Sequence, residues 1–256
     1  MLPADVVARE SAAWIWRPDD GDVVETADYV LVRWPAYVGS APSLMRFTPM
    51  GDPAAAFSAA LDRARSWACD ELIVWVRLEA PAGFEELVRA QGGVLHETVD
   101  VFALDLADGP AVDAPDVELR WRDVGNSRDF VEVGIAAFEE GEVPDEETLR
   151  WLAEDAEADR LAGRGAHVLA YANGRPVGAA GLTMAGTTAR LWGGGVVPEA
   201  RGRGIYRALL RARIGYALEH GATMALVKGR VESSGPILRR CGFESYGQER
   251  AYLLGL

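Results

Sequence analysis

Hydrophobic and polar positions follow two rhythms in the second half of this chain. HVLAYANGRPVGAAGLT alternates on both sides of Asn173-Gly174, which reads as two strands of a hairpin. Leu191, Trp192, Val196 and Val197 then surround three consecutive glycines and read as a strand ending at Pro198. After that the rhythm lengthens. Ile205, Leu209, Ala212 and Tyr216 fall at i, i+4, i+7 and i+11, one stripe of an amphipathic helix that Gly221 closes. Met224 to Val227 is a short apolar run, followed by a short helix around Ile237 and Leu238, the pair Gly242-Phe243 and a final strand.

Between strand and helix lies VVPEARGRGIYRALL, residues 196–210. A helix start carries amides without intrahelical partners and the positive end of the macrodipole, a natural seat for a phosphate. Gly202 and Gly204 permit a turn whose N–H groups converge on one anion, and Arg201 and Arg203 add charge at its edges. Two familiar phosphate loops fail here. A P-loop needs Lys and then Ser or Thr where Ile205 and Tyr206 stand, and the dinucleotide fingerprint needs a third small residue and a later acidic one.

Val196, Pro198, Arg201 and Gly204 resemble the signature of the GNAT superfamily of acetyl-CoA-dependent N-acetyltransferases, with Tyr206 departing from its last position. The resemblance covers roughly residues 116–256. It implies acetyl-CoA as acyl donor, bound by Val196, Val197, Arg201, Gly202, Arg203, Gly204, Ile205 and Tyr206, with the pantetheine arm in a gap where the next strand splays away. It also implies direct attack of an amine on the thioester within a ternary complex. Amides near Val196 and Val197 are candidates for polarising the carbonyl. The usual tyrosine acid four residues before Gly-Phe is replaced by Leu238, and no carboxylate stands on the strand from Leu191 to Val197. Glu232 and Ser234 remain as catalytic candidates, against the plainer readings of a surface carboxylate and a helix N-cap. The three glycines, Gly193 to Gly195, are either a floor for close approach of substrate or a bulge forced by packing of Trp192.

The first half holds a weak echo of the second. Slid by 150 positions, ELVRAQGG lies over PILRRCGF, pairing Leu87 with Ile237, Arg89 with Arg239, Gly92 with Gly242 and Phe102 with Tyr252. The expected fold is α/β (α+β), two GNAT-like domains, each a mixed, mostly antiparallel sheet flanked by helices. Residues 1–106 are read as a degenerate domain without a cofactor site, 107–115 as a Pro/Gly/Asp/Ala-rich linker and 116–256 as the acetyl-CoA domain. In the first half the corresponding turn is FTPMGDPAAAF, where Pro53 lacks an N–H and Asp52 opposes a pyrophosphate.

Charge and composition narrow the partners. Residues 1–113 carry 8 Arg and 19 Asp plus Glu, and the whole chain has a formal net charge of −13, so nucleic acid is not an expected partner. No apolar run approaches the ~18 residues of a membrane span, and the first residues lack a basic start before an apolar core, so a soluble, cytoplasmic protein is expected. Cys69, Cys241 and the three histidines form no metal-ligand spacing, and no metal is expected. A single lysine, Lys228, beside abundant arginine and alanine suggests a GC-rich bacterial genome.

The acceptor is the open question. EEGEVPDEETLRWLAEDAEADR, residues 139–160, carries ten carboxylates against two arginines. It is either a solvated helix face or, at Glu139, Glu140 and Glu142, an attraction for a cationic amine. Arg203, Arg207 and Arg211 form a second charged stripe, either solvated or in contact with CoA phosphates. Three functions fit: N-acetyltransfer to a small-molecule or protein amine, transfer of another acyl group, and non-catalytic sensing of acyl-CoA.

Overall fold

The computed structural model describes residues 2–107, 109 and 112–256. The expected linker, 107–115, thus includes residues 108, 110 and 111, which lie outside the described residues. The chain divides into two compact units. One comprises Phe102–Lys228 and Pro236–Ser245 with Leu2; the other comprises Pro3–Val101, Gly229–Gly235 and Tyr246–Leu256. They are called here the C-terminal and N-terminal units.

In the N-terminal unit the elements run α1 (Ala4–Ala12), β1 (Asp22–Glu25), β2 (Tyr29–Arg33), β3 (Ser43–Phe47), α2 (Pro53–Arg65), β4 (Glu71–Val76), α3 (Phe84–Ala90) and the start of β5 (Val94–Asp105). Hairpin-linked β1, β2 and β3 pair antiparallel, β3 and β4 pair parallel across α2, and β11 (Glu244–Gly255) pairs antiparallel with β4. The unit's core is aromatic. Phe47 and Phe84 stack at 4.1 Å, Phe57 meets both edge-on, and Tyr252 and Leu254 from the distant strand complete the cluster.

The C-terminal unit continues with β6 (Glu118–Trp121), α4 (Ser127–Phe138), α5 (Glu146–Leu161), β7 (Gly165–Ala172), β8 (Arg175–Ala185), β9 (Thr188–Val196), α6 (Ile205–Glu219), β10 (Met224–Arg230) and α7 (Ser234–Arg240). Its strand order is β10-β9-β8-β7-β6, with the Phe102–Asp105 end of β5 beside β10. The β7–β8 turn has Asn173 at φ +52° and Gly174 at φ +74°, the left-handed pair that an Asn-Gly hairpin requires. The mixed α/β architecture agrees with the sequence reading.

Helix α6 buries Ile205, Leu209 and Tyr216 of the expected stripe, along with Ala208, Leu210, Ile214 and Ala217. It sits close on β8, since a Cβ at Gly178 would stand 2.9 Å from Ile205 and 3.0 Å from Leu209. The 150-residue echo has a structural counterpart. Helices α3 and α7, and strands β5 and β11, have the same lengths at that offset. Gly92 and Gly242 share φ near +90°, and each follows its helix with the same pattern of amide bonds to the carbonyls of Arg89 and Arg239.

Candidate functional site

Strand β9 carries one residue too many for its partner. Gly181 of β8 faces Trp192 and Ala179 faces Gly195, so Gly193 and Gly194 share the position opposite Ala180. Gly193, at φ +57°, makes the β-bulge, a backbone state other residues rarely adopt. The parallel ladder between β9 and β10 runs from Thr188 and Met224 to Leu191 and Val227. Beyond it, among the described residues, the Trp192–Val196 end of β9 pairs only with β8. Bulge and free edge begin at the same place.

That edge presents an amide. Val197 donates its N–H to the Val177 carbonyl at 3.0 Å. Bonds in an antiparallel ladder alternate, so Val196, one residue earlier, turns its N–H away from β8 toward the open edge. Of the two amides considered for carbonyl polarisation, Val197's is engaged and Val196's faces the gap.

The turn after β9 supplies five more. Pro198–Ala200 form a single 3₁₀ turn, and the Arg201 amide donates to Pro198 at 3.3 Å. The N–H groups of Gly202, Arg203, Gly204, Ile205 and Tyr206 then have no acceptor among the described residues, and backbone bonding resumes only where Arg207 and Ala208 donate to the Gly204 carbonyl. Gly202 at φ +75° and Gly204 at φ +77° bend the chain so that these donors open α6 as a concave nest with the helix dipole behind it.

The arginines divide their roles. Arg201 spends its guanidinium on two carbonyls, Val196 at 3.2 Å and Ala137 at 3.1 Å, tying the end of β9 to the end of α4. Arg203 is exposed and makes no side-chain hydrogen bond or ion pair among the described residues. Tyr206 packs its ring against Gly194 and under Arg213, and burial pushes its phenol up.

Two buried clusters flank the bulge, and neither was named from the sequence. On the α6 side, Arg213 is 1% exposed, donates to the Gly181 and Leu209 carbonyls at 3.3 Å, and leaves Nη2 beside Gly194 without a hydrogen-bond partner among the described residues. Burial pulls its pKa down. Its signal was present, since Arg213 falls four residues after Leu209 on the apolar stripe. On the α4 side, His167 stacks on Phe130 at 5.1 Å and meets Trp192 edge-on at 4.8 Å. Arg122, itself buried, reaches the His167 Nδ1 at 3.3 Å. Arginine only donates, so Nδ1 accepts and the proton sits on Nε2. Burial, helped by the Arg122 charge, takes His167 down to about 3. His167 is therefore a fixed donor and a poor base.

The other candidates are placed as follows. Glu232 is exposed in the turn after β10, Ser234 opens α7, and both fall in the 229–235 segment of the N-terminal unit. Leu238 is fully buried in the C-terminal core. Residues 139–160 form the end of α4, a loop and most of α5, whose N-cap Asp145 accepts from the Thr148 amide at 2.8 Å. Glu139, Glu140 and Glu142 are exposed. Among the described residues no group of three or more His, Cys, Asp or Glu could hold a metal ion, and no helix is long and apolar enough to cross a membrane.

Comparison with known proteins meets this geometry. Residues 130–243 match the model of the acetyltransferase (GNAT) family. No curated protein matches the chain in sequence. Among solved structures, the chain is similar to a GCN5-related N-acetyltransferase from Kribbella flavida, at 17% identity and a TM-score of 0.64 over 98% of this chain and 95% of that one. It is similar to a GCN5-related N-acetyltransferase from Sphaerobacter thermophilus at 19% identity and 0.67, over 89% and 80%. It also resembles a tandem GNAT protein from the clavulanic acid biosynthesis pathway at 18% identity and 0.59, over 89% and 78%. At these identities the likenesses show the fold alone, and the family match covers residues 130–243. Residues 130–243, with the bulged strand and the amide nest inside them, match the acetyltransferase (GNAT) family, and that match supports acyl transfer as the chemistry.

Proposed function

We propose that this chain transfers the acetyl group of acetyl-CoA to an amine by direct attack in a ternary complex. The observation that carries the reading is the run of five unpartnered amides from Gly202 to Tyr206, a seat shaped for a pyrophosphate. The Val196 amide at the open edge of β9 supplies a donor for the oxygen of the thioester as it gains charge. The acyl donor then lies along Val196, Val197 and the turn, with Arg203 free to meet a phosphate and Arg201 holding the turn in shape. Glu232 as base and Ser234 as a contact for pantetheine or thiol complete the proposal. The acceptor is an amine, cationic in bulk solution, drawn by Glu139, Glu140 and Glu142, and the protein works in a bacterial cytoplasm.

The first half belongs to the same proposal. Residues 1–106 are a degenerate GNAT-like domain that binds no cofactor, joined through 107–115 to an acetyl-CoA domain at 116–256. The shared geometry of α3 with α7 and of β5 with β11 supports a repeat, and a tandem arrangement is what the clavulanic acid pathway protein is described as having.

Titration of acetyl-CoA by calorimetry, followed by thiol release over a panel of amines, tests the reading; saturable binding with amine-dependent release is the expected result. One observation favours a second reading. Leu238 fills the position of the usual acid and is fully buried, so binding without turnover is what a sensor would show. Tight binding with no release for any amine selects that reading, and release that prefers a longer acyl chain selects a different acyl transfer.

A further inference from the structure

The phosphate seat has a neighbour from its own unit. Residues Asp113 to Pro115 cross the start of α6 and are held there by two arginines. Arg207 Nη1 donates to the Asp113 carbonyl at 3.0 Å and to Asp113 Oδ2 at 3.1 Å. Arg211 donates to the carbonyls of Ala114 at 3.0 Å and Pro115 at 3.4 Å. The crossing is close to the nest itself. Around the position where Gly204 would carry a Cβ, the nearest atoms are Pro115 Cδ and Cγ at 2.9 Å and Arg207 Nη2 at 3.3 Å.

One guanidinium thus stands at the mouth of the anion seat, and one of its two acceptors is an anion. The Asp113 side chain is 98% exposed, so solvent screens the pair and little holds it closed. A phosphate offers more oxygens and more charge than one carboxylate oxygen, and it binds guanidinium in a fork. Arg211 differs, because its partners are neutral carbonyls that a phosphate does not repel.

We propose that Arg207 is a phosphate-binding residue kept in reserve by Asp113, and that the phosphates of the acyl donor take its guanidinium from that carboxylate on binding. Asp113 then sets affinity by competing for Arg207, while Arg211 keeps the crossing segment anchored. The proposal rests on the acyl-CoA reading above and adds a ligand and a competitor to it.

Calorimetry with CoA and with phosphate-free pantetheine tests it on the full chain. Asp113→Asn should tighten CoA by about two- to fivefold, the range an exposed ion pair carries, and leave pantetheine unchanged. Arg207→Gln should weaken CoA by about tenfold, and Asp113→Asn should gain nothing in that background. Asp116→Asn removes the same charge three residues away, where no ion pair is made among the described residues, and should have no effect. Equal gains at 113 and 116, or a gain that survives the loss of Arg207, reduce Asp113 to general repulsion and overturn the proposal. So does wild-type binding of CoA with no gain in Asp113→Asn. If the wild-type chain binds no CoA at all, the acyl-CoA reading fails and this one with it.

Discussion

The chain begins two helices after a parallel-paired strand, and it begins them in opposite ways. At α2, Asp52 accepts the Ala54 amide at 3.1 Å with its own side chain, and Pro53 removes one donor outright. At α6 no side chain caps the start and five amides stay open. The buried arginines repeat the contrast. Arg77 of the N-terminal unit has Glu79 at 3.2 Å, Glu249 at 3.7 Å and the carbonyls of Ser11 and Met45 around it. Arg213 of the C-terminal unit has carbonyls and the Tyr206 ring around it, with no carboxylate partner and no hydrogen bond at Nη2 among the described residues. Among the described residues both units keep buried polar atoms without a hydrogen-bond partner, Arg77 Nε and both Glu79 oxygens in the first and Arg213 Nη2 in the second; what differs is that Arg77 has carboxylates beside it. Helices α1, α3 and α4 also start without a side-chain cap, so what sets α6 apart is the pair of positive-φ glycines, Gly202 and Gly204, before its open amides.

The largest expected effect breaks the contrast at its centre. Gly204→Glu puts a carboxylate and a left-handed, non-glycine residue where the nest opens, and CoA binding should fall by more than about a hundredfold in calorimetry. Wild-type affinity in that variant would falsify the seat. A second test concerns acid. His167 is neutral in the fold down to about 3 but titrates near 6.5 when unfolded, so between those values the unfolded chain binds the extra proton. Stability should be full above about pH 6.5 and fall as pH drops, by on the order of 3 kcal/mol at pH 4. His167→Phe should flatten that limb in urea titrations, and parallel loss in both chains rejects the assignment.

Smaller effects sharpen the other side. Asp52→Ala should cost about 1 kcal/mol in thermal or urea unfolding while CoA affinity stays unchanged; a change in affinity gives the first helix a part in binding. Smallest is the acceptor term. Replacing Glu139, Glu140 and Glu142 by Gln should raise KM for a cationic amine by about two- to threefold with kcat held, since exposed charges are screened beyond ~8 Å. Should KM stay put, the segment is a solvated face and no more.

How much of this was legible varies with the range of the interaction. The strand, turn and helix around Gly204 were readable because alternation, positive-φ glycines and a 3.6-residue stripe are local. The three glycines announced a disturbance in β9, but only the pairing with β8 shows that Gly193 is the bulge. The bonds of the Arg201 guanidinium to the carbonyls of Val196 and Ala137 were not legible, since Ala137 lies 64 positions away. The hold of Arg207 on Asp113 spans 94 positions, and nothing local foretells it. Alternation in β11 likewise declares a strand without naming the strand it will meet.

That last choice has a consequence in time. Gly255 pairs with Glu71, and Tyr252 and Leu254 are buried among Phe47, Phe57 and Phe84. During synthesis the ribosome delivers those aromatics long before it delivers the strand that covers them. For that interval β4 offers an unpaired edge over an exposed apolar surface, the arrangement most open to pairing with another chain. Closing so distant a contact is slow. The yield of native protein should therefore depend on temperature and expression rate more steeply than the finished molecule's resistance to urea does, because the hazard lies in the wait.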